Sequence, residues 1–169
     1  MKNRNALIAI CIGIVLIIGF VFIQPTMQKR AEWNKISKDY DIIAEVAFDY
    51  YNKHISDRYE NDKTIFLDIS ADGDSLTETI YSIDGENKVY DIALTDKQKT
   101  ALKNITKFYI GPKRQEQIMI RSSEELEISD NDAVGTFAVI KSKIKPSGWR
   151  NHKIYNLGND WWQVVSSTR

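Results

Sequence analysis

The sequence predicts an α+β protein in which an N-terminal transmembrane helix precedes a long amphipathic helix and a second, short helix packed on a curved antiparallel sheet. Three observations predict this fold class. Residues 6–23 form an uncharged apolar run, residues 27–57 carry apolar side chains at helical spacing, and most of the remaining chain consists of short β-rich segments between turn residues. The 169 residues therefore divide into an anchor and one domain of ordinary size.

The apolar run predicts a membrane anchor. At 1.5 Å per residue it covers about 27 Å, close to the thickness of a hydrocarbon core. A cleaved secretory signal is the competing interpretation, but Val21, Phe22 and Ile23 end the run without the small residues that cleavage requires. Lys2 and Arg4 precede the run and favour a cytoplasmic N-terminus. We therefore expect an uncleaved signal anchor in a single-pass protein of the cell membrane.

This topology gives the domain organisation. Residues 1–5 are the predicted cytoplasmic N-terminus and 6–23 the transmembrane signal anchor. Residues 24–58 form a juxtamembrane amphipathic helix, and 59–169 form an extracytoplasmic α+β domain that we expect to fold as one unit with 24–58.

A stripe of apolar and aromatic side chains predicts the long helix. Its members recur at alternating intervals of three and four residues: Trp33, Ile36, Tyr40, Ile43, Ala47, Tyr50 and His54. A coiled-coil seam is one interpretation, but Tyr and His are poor residues for such a core. Packing on the domain's own sheet is the preferred interpretation.

Strands and a short helix account for the rest of the domain. Residues 77–83 and 88–94 flank the turn residues 84–87, which predicts a hairpin. Thr95 or Asp96 begins the short helix, which Gly111 and Pro112 end. Alternating segments from Gln117 onward predict an antiparallel meander that closes the sheet.

Charge and motifs exclude several function classes. Lys and Arg together number 23, and so do Asp and Glu, so the chain lacks the positive charge of a nucleic-acid-binding protein. It carries no nucleophile elbow, phosphate-binding loop or zinc motif. Only His54 and His152 offer imidazole groups, so we expect a protein that is not an enzyme and needs no cofactor.

One segment resembles the first part of an EF-hand calcium loop. Asp68, Ser70 and Asp72 stand at alternating positions, Gly73 fits the sharp turn, and Asp74 offers a carbonyl oxygen. The closing acidic residue, Glu78, comes one position early. The alternative is an ordinary Asp- and Gly-rich turn between two strands, which is what such residues form without a metal ion.

Aromatic residues near the C-terminus suggest an interaction surface. Trp149, Trp161 and Trp162 lie close together in the sequence and would suit a protein- or carbohydrate-binding platform. Core packing on antiparallel strands is the commoner role of such residues. Because neighbours on a strand point to opposite faces, only one of Trp161 and Trp162 can face the same core.

The expected function is that of a non-enzymatic interaction or assembly module at the bacterial cell surface. The order of elements is loosely similar to cystatin-like or NTF2-like ectodomains, which implies a helix on a curved sheet and no particular activity. Its expected partners are the lipid bilayer, through residues 6–23, and a protein of the cell envelope. Two alternatives are a minor pilin-like subunit of a secretion, conjugation or competence machine, and a cell-envelope enzyme.

Overall fold

The computed structural model describes residues 32–57, 63–80, 87–107, 116–129, 137–149 and 152–166. The chain divides into two compact units, Met1–Lys35 and Ile36–Arg169. In the first unit only residues 32–35 are described, and they are helical. The second unit contains the described sheet.

Two α-helices are present in the described part of the chain. Residues 32–54 belong to α1, which is followed by a 3-10 turn at Ile55–Asp57, and Asp96–Lys107 form α2. Thr95 begins α2 through a reciprocal capping box: its amide donates to Gln98 Oε1 at 2.8 Å, and the Gln98 amide donates to Thr95 Oγ1 at 3.3 Å.

Within the described ranges, eight strands form one antiparallel sheet. They are β1 (Ile65–Ile69), β2 (Leu76–Ile80), β3 (Lys88–Ile92), β4 (Gln117–Ser122), β5 (Glu125–Ser129), β6 (Phe137–Lys141), β7 (His152–Gly158) and β8 (Trp161–Ser166). Their order in the sheet is β3-β2-β1-β4-β5-β6-β8-β7, so β3 and β7 are the two edge strands. Asn159 and Asp160 make the turn into β8 with positive φ, a conformation that their short polar side chains tolerate.

The larger core lies between the sheet and the two helices. Tyr40, Ile43 and Ala47 of α1 are buried at the helical spacing that the sequence shows. From α2, Ala101, Leu102 and Ile105 are buried, and Asn104 Nδ2 donates to Asp39 Oδ2 at 3.0 Å, so the helices are neighbours. The sheet contributes the inward side chains of its central strands: Ile65, Leu67, Ile118, Ile120, Leu126 and Ile128.

Contacts at two places fix α1 across the sheet. Near its middle, Asp41 Oδ1 accepts hydrogen bonds from Trp161 Nε1 at 2.9 Å and from Lys141 Nζ at 2.7 Å. Near its end, Tyr50 Oη donates to Glu78 Oε2 on β2 at 2.7 Å. The helix therefore links β6 and β8 with the opposite part of the sheet.

A second, smaller cluster involves the β6–β8–β7 end of the sheet. Ala138, Ile140 and Val164 are buried there, with Trp149, Ile154 and Trp162 packed against them. Because side chains alternate along a strand, Trp162 points to the face opposite that of Trp161.

The structure corrects the predicted fold class and localisation. No helix in the described ranges combines the length and the apolar character that crossing a bilayer requires. Helix α2 has 12 residues and covers about 18 Å, too little for a span, and α1 carries Glu45, Asp49 and Lys53 on exposed positions. For the residues that the structure describes, we therefore correct the fold to two helices and an eight-stranded antiparallel sheet.

The same finding contradicts the predicted single-pass membrane protein with a cytoplasmic N-terminus and an extracytoplasmic domain. Residues 1–5 and the proposed signal anchor, 6–23, lie outside the described residues.

Candidate functional site

An open groove of about 500 Å³ lies beside the end of α1. The helix contributes one wall through six side chains: Glu45, Val46, Asp49, Tyr50, Lys53 and His54. The other wall consists of Asp91 and Ile92 at the end of β3, Ala93 just after it, and Gln98 in the first turn of α2. The capping box at Thr95 holds Gln98 in place, so the same residue caps the helix and lines the groove.

Helical spacing places Tyr50 and His54 one turn apart on α1, and their rings stack with centroids 4.3 Å apart. The hydrogen bond from Tyr50 to Glu78, a side chain only 3% exposed, holds the phenol ring against β2. His54 lies past this contact and is exposed. The groove therefore has a fixed aromatic surface at the end of the helix.

The groove is negatively charged. Its α1 wall carries two carboxylates, Glu45 and Asp49, and one ammonium group, Lys53, a net charge of −1 with His54 neutral. Lys53 Nζ lies 2.6 Å from Asp49 Oδ2, so these two charges compensate each other. Glu45 forms no ion pair with another described residue, and Asp91, which pairs with Thr77, has its side chain on the face of the sheet away from α1.

The edge strand next to the groove is regular and exposed. All five residues of β3 pair with β2 without a register shift, from Leu76↔Ile92 to Ile80↔Lys88. Val89 is 62% exposed and Tyr90 43%, and Ile80 on β2 is 38% exposed. The other edge differs, because β7 has a shift in its pairing with β8 between Asn156 and Gly158. Such bulges bend an edge strand and discourage further pairing.

The predicted calcium residues lie in the loop between β1 and β2 and in these two strands. Ser70 Oγ donates to Asp72 Oδ1 at 2.7 Å and accepts from the amides of Asp74 and Ser75 at 3.1 and 3.0 Å. Two side-chain hydrogen bonds lower the pKa of the Asp72 carboxyl. The one donated by Ser70 has the larger effect, and the one with Asp74 has the smaller. Ser70 therefore organises the loop around its own hydroxyl group.

The other predicted calcium ligands have protein partners. Asp68 Oδ1 accepts from Gln117 Nε2 at 3.1 Å, Lys103 Nζ lies 3.7 Å from Asp74 Oδ2, and Glu78 points toward Tyr50. In the ranges that the structure covers, no group of three or more His, Cys, Asp or Glu side chains is placed to hold a metal ion. Calcium binding by this loop stays a prediction.

The three tryptophans of the predicted platform do not share one face of the sheet. Trp161 is completely buried beneath α1, where its ring meets Tyr40 edge to face with centroids 5.4 Å apart. Trp162 Nε1 donates to the Ser142 carbonyl at 2.9 Å on the other side of the sheet. Trp149 is partly buried near Trp162, 5.2 Å from the ring of His152. An interaction role for these residues stays a prediction.

Sequence reasoning did not select Glu45, Asp91 or Gln98, because exposed polar residues on a helix or an edge strand are typical of solvated surface. One signal was available. The predicted stripe on α1 ends in Tyr50 and His54, two polar aromatic residues at positions where a core would favour aliphatic ones.

Comparisons of the chain with models of protein families, with curated proteins and with solved structures found no match.

Proposed function

We propose that the protein is a non-enzymatic interaction module that binds an extended segment of a protein partner as an additional strand beside β3. One observation carries this proposal: β3 is a regular edge strand whose residues are all exposed or half-exposed. An edge strand offers a row of backbone N–H and C=O groups to an incoming chain. An added strand forms hydrogen bonds with these groups, and its side chains cover Val89 on one face of the sheet and Tyr90 on the other.

The side chains on β3 favour such an addition. Val and Tyr are strand-forming residues that stabilise cross-strand pairs. In the described part of the sheet, β3 has no neighbour on its outer side. The bulged β7 edge provides the contrast within the same molecule.

The groove supports a binding role over a catalytic one. Among its described lining residues there is no Ser, Thr or Cys that could act as a nucleophile. Tyr50 Oη is engaged by Glu78, and Lys53 is engaged by Asp49. The remaining polar groups suit recognition.

The experiment uses fluorescent peptides of about eight residues, slightly longer than a typical strand, in which Val and Thr alternate and the central residue varies. Binding is measured by fluorescence anisotropy, and backbone protection by hydrogen exchange. We expect slower exchange at Lys88–Ile92 and at least about tenfold weaker binding to Val89→Asp, because a buried unpaired carboxylate costs more than the 1.4 kcal/mol of one decade.

Tyr155→Asp on β7 is the matched control, since Tyr155, like Val89, is an exposed hydrophobic residue on an edge strand, 45% exposed. It should bind the peptides as the unsubstituted protein does. Equal losses in the two variants, or no peptide binding with unchanged exchange at β3, would overturn the proposal. So would concentration-dependent self-association that Val89→Asp abolishes, because the occupant of β3 would then be a second copy.

A further inference from the structure

We infer that the segment bound at β3 carries a basic residue, two apolar residues and an acidic residue in this order, and that it runs antiparallel to β3. This inference rests on the proposed strand addition and specifies the sequence of the partner segment. Lys88 and Asp91 select the two charged residues, and Val89 and Tyr90 between them select the two apolar ones. All four side chains are exposed.

The register of β3 decides which of its side chains share a face. Tyr90 pairs with Glu78, which accepts a hydrogen bond from Tyr50 on α1, so Tyr90 lies on the helix side of the sheet. Because side chains alternate along a strand, Lys88 lies on the same side and Asp91 on the opposite side. The two charges of β3 therefore lie on different faces, and each needs its own partner.

Neither charge has an opposite charge across the sheet. On β2, the residue that pairs with Lys88 is Ile80, and the residue that pairs with Asp91 is Thr77. Neither Lys88 nor Asp91 forms an ion pair with another described residue. A strand added to the outer side of β3 would place a second cross-strand neighbour about 4.5–5.5 Å away, measured between Cβ atoms. An opposite charge there stabilises the pairing, and a like charge destabilises it.

The same charges make the open edge selective. Charged side chains on an edge strand discourage pairing with chains that do not complement them. The added segment therefore needs an acidic residue opposite Lys88 and a basic residue opposite Asp91. All strand pairs of the described sheet are antiparallel, and antiparallel pairing is slightly more stable. In an antiparallel segment the residue opposite Asp91 comes first, so the basic residue precedes the acidic one.

The two residues between the charges favour apolar partners. Val89 is 62% exposed on one face and Tyr90 is 43% exposed on the other. Aromatic and β-branched residues form favourable cross-strand pairs, so an aromatic residue fits opposite Val89 and a β-branched residue fits opposite Tyr90. The expected centre of the segment, written from its N-terminus, is therefore Lys-Val-Tyr-Glu or a close equivalent.

A second copy of the chain is a poorer occupant, although β3 itself begins Lys-Val-Tyr-Asp. Two copies related by a two-fold axis at this edge would have their helices on the same side of the joined sheet. Residues opposite each other would then belong to the same face, so Lys88 could meet Lys88, Tyr90 or Ile92 of the second copy but not Asp91. A segment of another protein has no such constraint and can complement both charges.

The experiment compares two fluorescent peptides of identical composition, Thr-Val-Lys-Val-Tyr-Glu-Val-Thr and Thr-Val-Glu-Val-Tyr-Lys-Val-Thr. Only the positions of the two charges differ, so strand propensity and apolar content are matched. Fluorescence anisotropy at low salt should show about tenfold tighter binding of the first peptide, because both charge pairs become repulsive with the second. The preference should shrink as salt is added.

The charge swap Lys88→Glu/Asp91→Lys should reverse this preference, a result that loss of folding cannot produce. The matched control is Glu124→Lys/Lys143→Glu, which exchanges the charges of an exposed ion pair outside β3, 2.6 Å apart in the unsubstituted protein. The control should keep the original preference. An original preference that survives the swap at β3, or that both double variants lose equally, would overturn the inference. So would tighter binding of the second peptide to the unsubstituted protein.

Single variants serve if the swap at β3 does not fold. Lys88→Gln and Asp91→Asn each remove one charge pair, so each should reduce the preference between the two peptides. An unchanged preference in both single variants would contradict the inference. Thermal melts establish that each variant is folded before its binding is compared.

The two proposals fail in different ways. Equal binding of the two peptides, with hydrogen exchange slowed at Lys88–Ile92, would overturn the charge order and keep the strand addition. A preference that the swap reverses, with unchanged exchange at Lys88–Ile92, would keep the selection by charge and overturn the strand addition. Absence of binding by both peptides, with unchanged exchange, would overturn both proposals.

Discussion

Gly73 lies in a loop position that has no room for a side chain. Its φ is +72°, and a Cβ added there would stand 2.3 Å from Thr106 Oγ1 on α2. The Gly73 amide also donates to the Ser70 carbonyl at 2.9 Å, which closes the turn after β1. The turn residues that suggested a calcium loop therefore also let the loop approach α2 closely.

Gly73→Ala should destabilise the protein by more than the about 1–2 kcal/mol expected for a left-handed conformation alone, because it also clashes with Thr106. Gly148→Ala is the control, since Gly148 has a φ of +87° but open space around its Cβ position. Chemical denaturation of the two variants measures the difference. The Gly73 cost should fall in a Thr106→Ala background, and equal costs of the two alanine substitutions would contradict the steric explanation.

Glu127 is a buried carboxyl on β5, 4% exposed, with Arg121 Nη2 at 2.8 Å. Burial raises the pKa of Glu127 above its ordinary value of 4.5, while the charge of Arg121 and its hydrogen bond oppose the shift. The folded state therefore holds the proton more tightly than the unfolded chain. The stability that this provides is present below pH 4.5 and is lost as the pH rises through the folded-state pKa.

The stability of the unsubstituted protein relative to Glu127→Gln should accordingly fall as the pH rises from about 4 to 8. Gln cannot titrate, so the pH dependence of the difference comes from the ionisation of Glu127 alone. Urea unfolding of both proteins across this range measures the difference. A constant difference, or one that increases with pH, would show that the folded-state pKa of Glu127 is not raised.

At the scale of elements, local sequence determines where α2 starts. The Thr95–Gln98 pair forms a reciprocal capping box, and Asp96 places a negative charge in the first turn. The strands likewise form where alternation and turn residues indicate them: the predicted hairpin around 84–87 corresponds to β2 and β3, paired in a regular register. Such features depend on neighbours in the sequence and can be read from it.

Thr95→Ala should lower stability by about 1 kcal/mol, because it removes the side-chain acceptor for the Gln98 amide. Thr100→Ala is the matched control on the same helix: Thr100 is exposed, and its hydroxyl donates to the Asp96 carbonyl at 2.8 Å. Alanine has the higher helix propensity, so this variant should be unchanged or slightly more stable. Thermal melts followed by circular dichroism compare them, and a loss in Thr100→Ala as large as that in Thr95→Ala would rule out the cap as the cause.

At the scale of the whole second unit, helices and sheet share one core. Trp161 connects them, since its indole N–H donates to Asp41 on α1 while its ring lies 4.8 Å from Lys141 Nζ on β6. Lys141 also reaches Asp41 at 2.7 Å, so one carboxylate joins the helix to two strands. A single compact unit extends from Ile36 to Arg169.

Unfolding should therefore be one cooperative transition. Tryptophan fluorescence, to which buried Trp161 contributes, and circular dichroism at the helix band should give the same midpoint in urea. Asp41→Ala should shift both midpoints together by the same amount, because it removes the acceptor of two hydrogen bonds in the shared core. A helix signal lost before the fluorescence change would mean that α1 detaches independently of the sheet.

The sequence alone determined the inward face of α1, the hairpins and the cap of α2, since each depends on periodicity or on residues close in the chain. It did not determine which part of the core contains Trp161 and which contains Trp162. Alternation assigns the two side chains to opposite faces of the sheet but does not show what packs against each face. Tertiary structure put Trp161 under α1 and Trp162 in the second cluster. The predicted single-pass membrane fold was wrong, since no helix in the described part of the chain is long and apolar enough to cross a bilayer.

The groove was likewise decided only by tertiary structure. Periodicity places Tyr50 and His54 on the same stripe of α1 as the buried residues. It does not show where the sheet that packs against this stripe ends. The end of α1 lies over β2 and the end of β3. Tyr50 therefore donates a hydrogen bond to Glu78, and His54 lines the open groove. The pairing order of the strands is a long-range property, because it depends on which apolar faces pack together. As a result, His54, which the stripe predicted to be a core residue, lines the groove instead.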